Sequence, residues 1–138
     1  MSASLVGSEM CIRDSYCTSQ GKVFLANMSR AGAEALLRAQ PMTQFTPHTV
    51  TDPSALMREI ETCRANGYAI ENGEYKIGLR SVSAPVYTVE GKAAYAVGVI
   101  GMFRSPHSEE FHAAVEQVCV TASMISTALG YRKQEETL

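Results

Sequence analysis

The 138-residue sequence has no tryptophan, three histidines and 7% aromatic residues. His48, His107 and His112 stand at no metal-ligand spacing from a cysteine or from one another, and a functional histidine needs an identifiable partner. His107 and His112 are five apart, on different faces of a helix start. The cysteines Cys11, Cys17, Cys63 and Cys119 form no CxxC pair. Cys63 and Cys119 fall inside apolar helical patterns and read as small buried hydrophobes. This usage suits a reducing compartment. A surplus of one charge is also missing: 12 Lys and Arg face 14 Asp and Glu, a net charge of −2, with no block of like charges. A chain so near neutrality makes a poor duplex binder by itself, because that affinity comes mostly from phosphate neutralisation. No run approaches the ~18 apolar residues of a membrane-spanning helix. The N-terminus has neither the basic segment nor the long apolar segment of a signal peptide. A cytoplasmic protein that does not enter a membrane is the expectation. GxSxG, the P-loop and GxGxxG are all absent, and no nucleophile–base or metal constellation replaces them. The sequence therefore predicts no enzyme, no cofactor and no metal.

What is present is a set of well-punctuated elements in a length that favours one domain. "GKVFLAN" (21–27) reads as a short helix. Ser29 caps "RAGAEALLRAQ", with Leu36 and Leu37 as its buried positions, and Pro41 stops it. Asp52-Pro53 is a strong helix start, Asp as cap and Pro in the first turn. Leu56, Ile60 and Cys63 make one stripe of that helix, and Gly67 stands where a C-terminal cap belongs. The period then changes to two. "YAIEN" is a short strand and "NGE" (72–74) a turn. Leu79–Thr88 and Ala93–Phe103 form an antiparallel hairpin across "VEGK". Pro85 cannot donate to a ladder, so its segment belongs at an edge or a bulge. Ser108 caps a last helix striped by Phe111, Val115, Val118, Ala122, Ile125 and Leu129. Helices grouped apart from an antiparallel hairpin predict an α+β fold. Two or three strands are too few for so much helical stripe. Further strands upstream or a partner chain must complete the sheet.

Candidate chemistry is sparse. Glu71 and Glu74 flank a strand–turn junction, where carboxylates are ordinarily just solvated. Ser81 and Ser83 share a strand face with Leu79, Pro85 and Tyr87. Buried hydroxyls there need partners, from the backbone or from a ligand in an apolar-walled pocket.

Three stretches together carry a resemblance. "TSQGKVFLA" (18–26), "LMREIETCRANGYAIENGEYKIGLRSVSAPV" (56–86) and "GKAAYAVGVIGMFR" (91–104) resemble the effector-binding domain of the IclR family of bacterial transcription regulators. The family pattern is a GKxxLA helix, a helix ending RxxGYA, an acidic turn ending in Glu, a GxxxxxxP strand and a Gly-containing hairpin. The likeness runs from Tyr16 to about Tyr131. It implies a GAF-like domain, here incomplete: a curved antiparallel sheet with helices that binds a small metabolite and acts allosterically on DNA binding by an upstream winged helix-turn-helix. That domain and the first strands of the sheet are missing from this sequence, which reads as a C-terminal fragment. Homo-oligomers, dimers or tetramers, are implied as well.

Carried over by position, the family's pocket falls on Thr18, Ser19 and Gly21 in the loop before the GK helix, on Glu71, on Leu79 and Ser81, and on Gly98 and Ile100. The last two are Ser in acid-sensing members. Here a carboxylate would lose two hydroxyl donors and meet a larger apolar wall. An organic acid bulkier than a two- or three-carbon keto acid, such as an aromatic acid, is the implied effector. A stand-alone GAF-like sensor and a ligand-free dimerisation domain are the competing readings.

Residues 1–15 do not fit the family pattern. "LVGSEMCIRDS" (5–15) instead resembles the translation of a transposon-end adapter used in fragment sequencing libraries, at every one of its positions. The expected domains are therefore 1–15, foreign, and 16–138, a partial IclR-type effector-binding domain.

Overall fold

The computed structural model describes residues 2–7, 16–39 and 41–133. Cys11 lies outside them, as does most of the adapter-like segment. The elements run β1 (Ser2–Gly7), α1 (Ser19–Ala26), α2 (Arg30–Arg38), α3 (Pro53–Asn66), β2 (Ala69–Asn72), β3 (Arg80–Tyr87), β4 (Ala93–Gly101) and α4 (Glu109–Ala128). The fold is α+β, as expected.

Local chemistry sets the helix ends. Thr18, Ser29, Asp52 and Ser108 each accept a backbone N–H of their own first turn, from Gly21, Gly32, Ala55 and Phe111. Each satisfies a donor that a helix start leaves unpaired. Gly67 ends α3 at φ 80°, a left-handed conformation suited to glycine, and its N–H reaches the Cys63 carbonyl. Asp52→Ala is expected to cost about 1 kcal/mol, read as a lower urea midpoint with an unchanged m-value.

The four strands form one antiparallel sheet in the order β1-β4-β3-β2. The predicted hairpin is its centre. The fourth strand is Ser2–Gly7, which pairs along β4 from Ser2 opposite Ile100 to Gly7 opposite Tyr95. Pro85 is tolerated inside the sheet for a local reason. β2 stops pairing at Ser83, so β3 is an edge beyond that point, and a register irregularity follows at Val86/Tyr87.

The sheet is covered on both faces, so β3 is buried along most of its length. On one face Val82, Ala84, Val86 and Val97 pack against Phe111, Val118 and Ala122 of α4, with Phe103 set edge-on to Phe111 at 5.0 Å. The α4 stripe is narrower than its sequence suggests: Val115 and Ile125 are half-buried and Leu129 is exposed. Ser126 is buried instead, its hydroxyl accepting the Tyr87 N–H. On the other face lie α1, α2 and α3, with Leu25, Ala33, Leu37, Leu56 and Ile60 in their core. Cys63 and Cys119 are half-buried rather than buried, each at the margin of a core cluster.

Candidate functional site

The sheet face beneath α1 collects the polar groups. Register places Ser81 between Glu71 of β2 and Ile100 of β4, and Ser83 between Ala69 and Gly98. The period of two sends these two cross-strand rows to one side while Val82 and Ala84 go to the other. The Ser81 hydroxyl donates to Glu71 Oε2 at 3.1 Å. Ser83 Oγ lies 2.7 Å from Ser19 Oγ, the first residue of α1. All four side chains are at most 3% exposed.

Of the sequence-predicted residues, Ser19, Glu71, Ser81, Gly98 and Ile100 thus meet on one face. Thr18 and Gly21 form the capped first turn of α1 above it. Leu79 precedes β3 and is engaged by its backbone, its carbonyl accepting the Gly73 N–H at 2.8 Å. None of the described cavities is lined by these eight residues.

Glu71 and Glu74 are not solvated turn residues. They are 3% and 5% exposed. Glu71 Oε1 accepts the backbone N–H groups of Glu74 (2.6 Å) and Tyr75 (3.1 Å), as an acid does when it caps a turn. Thr46 closes the same turn from the outside through the Gly73 carbonyl. Glu74 turns inward to Lys22, whose ammonium lies 2.6 Å from Glu74 Oε2 and 2.8 Å from Glu59 Oε2. Lys22 is 1% exposed. Burial opposes its charge, but Glu74 and Glu59 outweigh that and hold its pKa above the ordinary lysine value. Glu74 is also pushed up, because burial outweighs Lys22 and because Glu59 and Glu71 add negative charge nearby. The two directions are compatible: one ammonium is shared by two carboxylates, Glu74 and Glu59, with Glu71 a further negative charge near Glu74. Glu74 Oε1 has no hydrogen-bond partner.

Sequence reasoning missed Lys22 and Glu59 altogether, and it named Ser83 as a hydroxyl in need of a partner without placing it among the positions carried over from the family. Lys22 carried a signal, a lone cation in an otherwise apolar helix, but its partner is 52 residues away.

Gly98 alters the expected hydroxyl count. A Cβ at residue 98 would stand 2.2 Å from Ser83 Oγ. The space that a side chain at 98 would enter is thus taken by the Ser83 hydroxyl. A hydroxyl from the neighbouring strand therefore stands beside Gly98, while position 100 carries the apolar side chain of Ile100.

This two-faced antiparallel sheet, flanked by short helices on one side and one long helix on the other, defines a GAF-like regulatory domain. The profile of the family described as bacterial transcriptional regulator IclR C-terminal matches residues 2–127. The chain belongs to the IclR family. It is 32% identical over 118 residues to the HTH-type transcriptional regulator BhcR of Paracoccus denitrificans, covering 86% of this chain and 42% of BhcR. The IclR crystal structure from Thermotoga maritima superposes with a TM-score of 0.82 at 27% identity, over 94% of this chain and 61% of that one. A double mutant of the inducer-binding domain of PobR from Acinetobacter, in complex with 3-hydroxybenzoic acid, shares the fold at a TM-score of 0.74 and 20% identity, over 81% of this chain and 65% of that one. The chain spans about half the length of the curated relatives it matches. Those relatives are transcriptional regulators.

Proposed function

We propose that this chain is the effector-sensing part of a cytoplasmic IclR-type regulator. A small organic acid binds on the sheet face beneath α1 and shifts DNA binding by a winged helix-turn-helix domain elsewhere in the whole protein. The observation that carries this reading is the buried cluster of Ser19, Ser81, Ser83 and Glu71 on that face. The Ser19–Ser83 bond joins two hydroxyls and Ser81 donates to Glu71; a ligand carboxylate that takes over either donor replaces one hydrogen bond by another, so the exchange has little net cost. Thr18, Gly21 and Leu79 complete the rim, Leu79 as an apolar part of it, and Gly98 and Ile100 form the floor on β4. Coupling between effector and operator is a difference in effector affinity between two domain or subunit arrangements.

Ile100 gives the floor apolar bulk, and Ser83 returns one hydroxyl. An acid with an aromatic or branched body fits this better than glyoxylate or pyruvate, and a double mutant of PobR holds such an acid on the same fold. Titrating the full-length regulator calorimetrically with benzoate and 3-hydroxybenzoate against glyoxylate and pyruvate tests it. Tighter binding of the two keto acids overturns the aromatic reading. Ser81→Ala is expected to weaken the effector by about tenfold or more, the worth of one hydrogen bond to a charged group.

Self-association is proposed as well. Met102, Val120 and Met124 are exposed, and an apolar groove of about 560 Å³ lies between the end of β4 and α4. Light scattering should return a dimer or tetramer; a monomer at every concentration rejects it.

Residues 1–15 are proposed to be foreign to the domain. Backbone pairing along β4 is open to almost any extended segment, and the net gain per hydrogen bond is offset by the entropy of ordering the segment. Deleting residues 1–15 is expected to change stability by less than about 1 kcal/mol. A larger loss in a urea melt would make the strand an integral part of the fold.

A further inference from the structure

Beside the edge strand β2, away from the cluster of serines, lies a cavity of about 270 Å³ between α1, α3 and β2. Its wall includes Lys22, Glu59, Glu74, Asn66, Tyr68 and Asn72. Two features point to an occupant. Glu74 is 5% exposed, and its Oε1 has no donor although Oε2 is bonded to Lys22. A buried carboxylate oxygen without a donor is costly, so the site favours any ligand that brings one. The charge is also unbalanced. Glu59 and Glu74 both face the cavity, against the single ammonium of Lys22, which is already engaged by both.

We infer that this cavity binds a small organic cation, a short alkylammonium, that donates to Glu74 Oε1 and Glu59 and lays its stem on Tyr68 and Ile70. An anion is disfavoured, since the one cation in the wall is spent. A metal ion is disfavoured too, because the described residues hold no group of three His, Cys, Asp or Glu side chains suited to one. The volume falls just below the ~300–1,000 Å³ of drug-sized pockets, which limits the ligand to a few heavy atoms. An ammonium offers three N–H donors, the asparagine amides and the Thr62 hydroxyl offer further acceptors, and the ring of Tyr68 offers a π face.

The site lies apart from the proposed effector face but is joined to it. Glu74 donates its backbone N–H to Glu71, whose other oxygen accepts from Ser81. An occupant here would therefore bear on the effector wall through one carboxylate.

The test titrates the 138-residue chain with n-butylammonium chloride, sodium chloride keeping the ionic strength constant. Binding is followed by NMR shifts, and Cys63, which lines the cavity, is footprinted by iodoacetamide with the modified peptide located by mass spectrometry. Saturable binding is expected, with Cys63 alkylation slowed several-fold and Cys119 alkylation unchanged. Glu59→Gln leaves Lys22 its buried partner and keeps the fold; it is expected to weaken n-butylammonium about tenfold, the worth of one charge-assisted hydrogen bond. Shifts no different from those in sodium chloride alone, unaltered Cys63 alkylation, or full affinity in Glu59→Gln would each overturn the proposal. The first of these would mean that water satisfies Glu74.

Discussion

Lys22→Met is expected to destabilise the chain by about 3–5 kcal/mol, the range for removing one partner of a buried ion pair. The cost comes from what remains. Without the ammonium, Glu74 is a 5%-exposed carboxylate with neither oxygen bonded, beside Glu71 and Glu59. Glu59 adds little to the loss. Its side chain is 43% exposed, and solvent screens a pair of that kind to well under the buried one. The intact pair is not a large net gain either, since desolvating two charges consumes most of their attraction. The double variant Lys22→Met/Glu74→Leu should therefore recover much of what Lys22→Met loses. Urea denaturation of the four corners of this cycle measures it, and a single-variant loss under 1 kcal/mol would mean that Glu74 simply accepts a proton. The pH dependence has a definite sign. Lys22 has a pKa above its ordinary 10.5 in the folded chain. The stability it contributes is fully present below the unfolded value and is lost as pH rises through the higher folded one. The gap between the wild-type chain and Lys22→Met should hence narrow above about pH 10.5.

Gly98→Ala is the second large effect, expected to cost about 1–3 kcal/mol as an overpacked core does. Propensity alone argues the other way, because glycine in a strand interior is weaker than alanine. Space decides. The added Cβ would stand 2.2 Å from Ser83 Oγ and 2.9 Å from the Val82 carbonyl oxygen. The hydroxyl could rotate away, but only by abandoning Ser19. The carbonyl is ladder backbone and can yield only by opening the β3–β4 pairing. Adding Ser83→Ala should consequently restore only part of the loss. Complete rescue would show that the hydroxyl contact is the whole obstacle. A stabilised Gly98→Ala would mean that the strands separate at no cost and that the Ser19–Ser83 contact is slack.

Much of the molecule was legible because it is locally determined. Ser29, Asp52, Gly67 and Ser108 fix helix ends through bonds that span three or four residues, so their sequence neighbourhood contains the whole interaction. The hairpin of β3 and β4 was equally readable, since "VEGK" joins two alternating runs directly. The family likeness added the positions that converge beneath α1. The α4 stripe was read one residue too wide at its end, because amphipathicity alone does not say where the sheet stops covering a helix.

The rest was settled only by tertiary structure, and sequence separation is the reason. Lys22 meets Glu74 across 52 residues and Ser19 meets Ser83 across 64. Nothing in either neighbourhood names its partner. Two glutamates read as a polar turn became a capped, buried turn because α1 brings a cation to one and β3 brings a hydroxyl to the other. Gly98 read as a position without a hydroxyl, and the structure adds that Ser83 of the adjacent strand fills the space beside it. The sequence by itself determined where chain segments become helix and strand, how they end, and to which family they belong. Which buried charges and hydroxyls face one another was decided by strand order and register, because a period of two says which residues share a face but not which strand lies alongside.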